Sequence, residues 1–226
     1  MPTSGTTVFN LDIYEIIEEA YEMVGIEMRS GYEMRTARRS LNLMMREWGN
    51  RGINFWTIRE SVIAVAADAT TVTLPTDCID VLDAAWRVGT GLEQNDRIMT
   101  RMSVVDYAQM ANKNQPGEPT QFWVQRIAAP IAYIWPIPVD SGSFVFWGLR
   151  SIQDVGSYGN TMDVPARFLP AMTSGLAYYL ALKTSGAEQK AAFLKGEYDR
   201  QFMLAEEEDR ERTPFKLVPD MTGYDS

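Results

Sequence analysis

A chain of 226 residues and 25.5 kDa, 46% hydrophobic and 23% charged, has the make-up of a globular protein with a substantial core, which excludes wholesale disorder and collagen-like or low-complexity chains. The sequence contains no histidine and one cysteine, Cys78, so Ser-His-Asp triads, HExxH zinc sites, histidine pH switches, Cys/His zinc sites and an intrachain disulfide are all excluded. With 21 Lys and Arg against 30 Asp and Glu, the net charge is −9 and the pI about 4.7; no region forms a basic arm, which argues against tight binding to nucleic-acid phosphates.

Met1 to Phe9 lacks the basic segment and apolar run of a signal peptide. Asp12 to Val24 predicts an amphipathic helix, with Ile13, Ile16, Ile17, Ala20 and Val24 on one side and Glu15, Glu18, Glu19 and Glu22 on the other. Gly25 is its expected stop. A second helix is predicted from Tyr32 to Trp48, where Ala37, Leu41, Met44 and Trp48 form the apolar stripe and Gly49 the end. On its opposite face Arg35, Arg39 and Arg46 fall in one narrow sector, with Asn42 between them and Arg38 at the margin.

The texture changes at Trp56. Segments 61–66, 70–74 and 79–86 are rich in Val, Ile and Thr and are separated by turn residues, which predicts strands. Ser103 and Asp106 resemble a helix-capping pair, so a short helix through Tyr107 to Ala111 interrupts the strands. Strands resume at 120–127, 131–135 and 143–149, and alternation in the last predicts burial on both faces. Helical texture returns near Pro165. Either a short turn precedes a helix starting at Pro170, or one helix from Pro165 is kinked. A last helix spans 187–208, and residues 213–226, with Pro214 and Pro219, read as extended.

Two helices on each flank are poor cores alone, and packing the flanks together solves this. The expected class is α+β: a four-helix bundle made of 1–56 and 163–212, an inserted antiparallel β-sandwich or barrel domain at 57–162, and an extended C-terminal arm at 213–226.

Few residues point to chemistry. Gly89-Thr-Gly91 lacks the third glycine and following helix of a phosphate loop and reads as a turn. Asp77, Asp80 and Asp83 lack the specific placement of a glycosidase acid pair and read as solvated edge charges. Trp123, Trp135 and Trp147 could stack on a ligand, but core packing is the ordinary role of such residues. The Arg35, Arg39 and Arg46 stripe fits a solvated face, a phosphate clamp or a subunit interface, for which the acidic face of the first helix, Glu15, Glu18 and Glu22, offers a matching surface. Phe215, Leu217, Val218 and Tyr224 cannot readily bury themselves within their own short segment, which is either a disordered end or an arm that orders on a partner.

The order of several segments carries a resemblance: RTARRSLNLMMREW from Arg35, VTLPTDCIDVL from Val72, GEPTQFWV from Gly117, YIWPIP from Tyr133 and VPARFLPAM from Val164. Over most of residues 10–210 the chain resembles the head-to-tail adaptor (connector) proteins of short-tailed bacteriophages, including the tail tubular protein A group. The resemblance implies a structural virion protein without catalysis, cofactor or metal, made in the host cytoplasm and placed at the head–tail junction. It implies a homo-oligomeric ring of twelve subunits between the portal protein and the tail nozzle protein, with the C-terminal arm docked on the portal. DNA would pass through without tight binding, and no membrane insertion is expected. Two rival functions are an adaptor with peptidoglycan-hydrolase activity and a carbohydrate- or nozzle-binding β module.

Overall fold

The computed structural model describes residues 5, 9, 11–28, 31–52 and 55–210. Helix α1 (Ile13–Val24) starts at a reciprocal cap: the Asp12 carboxylate accepts the Glu15 N–H at 2.8 Å and the Glu15 carboxylate accepts the Asp12 N–H at 2.9 Å. It ends at Gly25, whose φ of +88° is the left-handed conformation glycine tolerates. Helix α2 (Gly31–Arg51) runs through Gly49, the expected stop, and the chain turns at Gly52 instead. Its last turn is held by contacts: Trp48 is fully buried, and Arg51 binds Glu47 and lies 4.4 Å from the ring centre of Phe202.

The return from the β region enters a 3-10 turn, Ala166–Phe168, and then a helix from Leu169 to Ala181, so the short-turn alternative holds. Together with α3 (Val104–Gln109) in the β region and α5 (Glu188–Glu208), this α4 completes the helices. Ten of the 13 residues of α4 are buried, because α1, α2 and α5 all pack on it. A helix apolar on every side requires such enclosure. The hydroxyls inside it are satisfied: Thr173 donates to the Leu169 carbonyl at 2.9 Å and Ser174 to the Pro170 carbonyl at 2.8 Å. Gly175 marks the tightest approach. A Cβ there would lie 2.6 Å from Met44 Sδ and 2.7 Å from the Tyr198 ring, and that ring is fixed by the Trp48 indole N–H donating to its hydroxyl at 2.7 Å.

The β region contains β1 (Ile58–Val65), β2 (Thr71–Thr73), β3 (Cys78–Val88), β4 (Asn95–Arg101), β5 (Pro116–Gly117), β6 (Gln121–Gln125), β7 (Ile131–Trp135), β8 (Ile137–Pro138) and β9 (Gly142–Arg150). Seven strands form a nearly closed barrel-like sheet in the order β1-β9-β3-β4-β6-β7-β2, and β5 pairs with β8. Pairing is antiparallel, as expected, except for two short parallel pairs, β4 with β6 and β5 with β8. Strand β4 was not expected, since Met99 is its one buried residue. It forms because Gly89, at φ +77°, folds the chain tightly back from β3, where a Cβ would strike the Glu93 carbonyl at 2.4 Å. Arg87 then clamps Asp96 through two contacts of 2.7 Å.

Trp86, Phe122, Phe144 and Phe146 fill the barrel with Val72, Leu74, Val81 and Ile134. Trp123, Trp135 and Trp147, expected in the core, are instead part-exposed on the outside. The physical reason is the two-residue period: Phe122, Ile134 and Phe146 point inward, which turns each neighbouring tryptophan outward. On β9, Val145 is buried opposite Phe144, whereas Trp147 keeps 37% of its surface exposed, so burial of both faces is partial.

Two apolar clusters result, one among the helices and one inside the barrel. Residues 151–162 pack mainly on the first: Val155 is buried there, and its N–H donates to Asn42 Oδ1 at 2.8 Å. At the exit of the β region Arg150 pairs with Asp163, Nη2 to Oδ1 at 2.7 Å, and the Gln153 N–H donates to the same carboxylate at 3.1 Å. At the entrance the Trp56 ring lies 4.6 Å from that of Phe168.

Gly175→Ala should lower stability by about 1–3 kcal/mol through overpacking, although alanine favours a helix by about 1 kcal/mol. Gly196→Ala, where a Cβ meets nothing within 4 Å, should raise it by about 0.5–1 kcal/mol. Urea unfolding of the two variants checks both signs. Asp163→Asn removes charge-assisted bonds and should cost about 1–3 kcal/mol at neutral pH. The Arg150 guanidinium holds the Asp163 carboxyl below the usual carboxylate range. Its contribution is therefore complete above the unfolded-state pKa and vanishes as pH falls through the lower folded value. Urea midpoints of wild type and Asp163→Asn should converge toward acid.

Candidate interaction surfaces

Helix α2 buries one side against α4 and turns the other outward. Arg35, Arg39 and Arg46 are all exposed on that outer side, together with Tyr32 at 65% and Leu43 at 61% exposure. The expected stripe thus exists as a surface, with two apolar side chains set among the charges. Asn42 is drawn inward by its bond to Val155, and Arg38 sits over the Tyr158 ring at 5.7 Å. Lys183, at the end of α4, donates to Ser40 Oγ at 2.6 Å. Burial, with the nearby Arg39 charge adding to it, lowers the pKa of this ammonium.

A groove of about 430 Å³ runs beside the stripe, lined by Arg39, Asn42, Leu43, Met45, Arg46 and Ile152 among others. Beyond Arg46 a second hollow of about 410 Å³ is bordered by Asn50, Ile79 and Arg126. The groove's lining is mainly apolar, and its polar members include Arg39, Arg46 and the acidic Asp154, so an apolar centre has a mixed polar rim, the pattern of a protein-binding surface.

The expected acidic face of α1 is also exposed, with Glu15 engaged in the helix cap and Glu18 and Glu22 turned to solvent. Among the described residues no ion pair joins these glutamates to Arg35, Arg39 or Arg46. The two faces look away from the shared α4 core, so a single copy does not bring them together. Phe215, Leu217, Val218 and Tyr224 lie outside the described residues.

The other candidates resolve into structure. Gly89 and Gly91 belong to the β3–β4 turn. Asp80 is tied to Arg101 at 2.9 Å and to Arg126 at 3.7 Å, and it faces these cations rather than a second carboxylate across a cleft. Trp123 packs on the sheet exterior against Tyr107 at 5.2 Å and Tyr133 at 4.8 Å, and these two rings also touch each other at 5.2 Å, so the three form one aromatic cluster.

One surface escaped the sequence reading. Helix α5 buries Ala191, Leu194, Tyr198, Phe202 and Ala205, yet Phe193, Met203 and Leu204 on its far side are 73%, 58% and 51% exposed. The legible signal was weak amphipathicity, apolar residues recurring on both sides of one helix.

Among the described residues no helix is long and apolar enough to cross a membrane, and no group of three or more acidic or cysteine side chains is placed to hold a metal ion. No curated protein matches the chain. Residues 24–218 match the SU10 adaptor protein family, a span that takes in α2, the whole β region, α4 and α5 and begins at the last residue of α1. The chain belongs to the SU10 adaptor protein family and is a structural phage head–tail adaptor, a component of the virion.

Proposed function

We propose that this adaptor is the repeating subunit of a ring that joins the portal protein to the tail nozzle protein at the head–tail junction, and that DNA leaves the head through its opening. The observation that carries the reading is the family match over residues 24–218 in a chain whose helices turn charged faces, acidic on α1 and basic on α2, away from their shared core. A closed ring needs two different, complementary faces on each copy, because its contacts are heterologous. Arg35, Arg39 and Arg46 supply one such face, and Glu15, Glu18 and Glu22 are candidates for subunit contacts as well. The net charge of −9 suits a passage that must not retain DNA, since phosphates are repelled rather than held. Twelve copies are the number implied by the resemblance to tail tubular proteins.

Within each copy, 1–56 with 163–212 form the ring-building helical domain, 57–162 the inserted β domain, and 213–226 the arm that docks on the portal through Phe215, Leu217, Val218 and Tyr224. The separation of the two apolar clusters supports this division.

The mass of the protein alone and after mixing with the portal ring of the same phage tests the reading. A discrete multi-subunit complex with the portal is expected; a monomer in both conditions overturns it. Removing residues 213–226 should abolish co-sedimentation with the portal while leaving the urea midpoint of the subunit unchanged. Reversing Arg35, Arg39 and Arg46 to Glu together should block assembly on the portal.

A further inference from the structure

Helix α5 has two apolar sides and covers only one of them. The side packed on α4 is ordinary. The opposite side presents Phe193 and, about three turns further on, Met203 and Leu204, with Gly196 between them, where the surface is open. Exposed single apolar residues need no explanation, but Phe193 and Leu204 on one line of the helix, with Met203 about 100° round from Leu204 on the same outer side, mark a contact surface.

The charges around this line are acidic where it ends. Arg200 is already engaged by Glu197, Nη2 to Oε1 at 2.6 Å, and Glu206 and Glu207 stand in the last turn with no basic residue there. Carboxylates at a helix C-terminus oppose the helix dipole, an unfavourable arrangement that a cation from outside relieves.

The α2 surface is complementary in both respects. It carries Arg39 and Arg46 around Leu43, with Tyr32 about three turns before Leu43, so its apolar pair has the same spacing as Phe193 and Leu204. Its groove of about 430 Å³ is a receptacle for an apolar side chain. Both helices have 21 residues. They also run in the same direction within one copy: Lys190 near the start of α5 donates to the carbonyl of Val24, the last residue of α1, from which the chain leads into α2, and Trp48 near the end of α2 packs on Phe202. Rotation about an axis along the bundle keeps them parallel between neighbouring copies.

We infer that α5 of one copy docks its outer face, Phe193, Met203, Leu204 and Glu207, on the outer face of α2, Tyr32, Arg39, Leu43 and Arg46, of a second copy. The occupant of the arginine face is then α5 of the neighbour rather than its α1. The outward side of α1 offers glutamates with one less exposed aromatic, Tyr14 at 39% against 73% for Phe193, and exposed ion pairs alone contribute little to association. This inference rests on the ring reading and assigns its subunit contact.

The test uses full-length protein carrying Cys78→Ser, concentrated alone or assembled on the portal ring, and a short bis-maleimide. Leu43→Cys combined with Leu204→Cys or with Phe193→Cys should give a ladder of covalent oligomers from at least one pair, whereas each single variant should stop at dimer or below. Phe193→Ser, Met203→Ser and Leu204→Ser together should weaken self-association by about tenfold or more, as loss of apolar anchors does, with the subunit's urea midpoint unchanged. A ladder from Leu43→Cys with Glu18→Cys but from neither α5 pair overturns this contact and leaves the ring standing. A monomer under every condition overturns both.

Discussion

The enclosure of α4 is the constraint on which the helical half of the molecule depends. Its ten buried residues have no solvent-facing side to fall back on, so α1, α2 and α5 must all be present before the helix is stable. Gly175 sets how close they come, because the Met44 sulfur and the Tyr198 ring occupy the space a side chain would need. Tyr198 is in turn positioned by Trp48, and Arg51 lies 5.4 Å from its ring centre. The hydrogen bond between Tyr198 and Trp48 joins α2 to α5 across 150 residues of sequence. The helices of the two flanks therefore form one cooperative unit, and neither flank retains a core without the other.

With the interior of the bundle so fully committed, chemistry is left to its outer surfaces. Those surfaces are unequal. α1 shows glutamates, α2 shows arginines around Tyr32 and Leu43, and α5 shows Phe193, Met203 and Leu204 beside an acidic last turn. The lack of histidine and the single cysteine accord with a structural adaptor that works by contact. The barrel contributes a second apolar cluster, and its outer aromatics, Tyr107, Trp123 and Tyr133, pack on one another.

Helix existence was readable because Ile13, Ile16, Ile17, Ala20 and Val24, and likewise Ala37, Leu41, Met44 and Trp48, repeat at the helical period. The end of α2 was not readable from Gly49, since contacts made by Trp48 and Arg51 with α5 outweigh a single glycine's preference. Strand β4 carried almost no apolar pattern, and its place follows from the β3 turn and the Arg87–Asp96 clamp. The tryptophans were assigned to the core by residue type, although alternation decides inside from outside, and their neighbours Phe122, Ile134 and Phe146 took the inward positions. The arginine stripe was visible from spacing alone. The α5 surface has no comparable signature, because apolar residues fall on both sides of that helix and spacing alone does not separate Phe193, Met203 and Leu204 from the buried Leu194, Tyr198 and Phe202.

The β region leaves and rejoins the helices at one place. Trp56 at its entrance packs on Phe168, and Arg150 at its exit grips Asp163, both within the short stretch that leads into α4. A load applied to the barrel is therefore shared by two attachments rather than carried by a single strand of chain. Both deliver it near the N-terminal end of the one helix that is walled in by the other three. Tension would act along the length of α4, where sliding is resisted by packing on every side, and the barrel would move with the bundle as a stiff bracket instead of swinging on a tether.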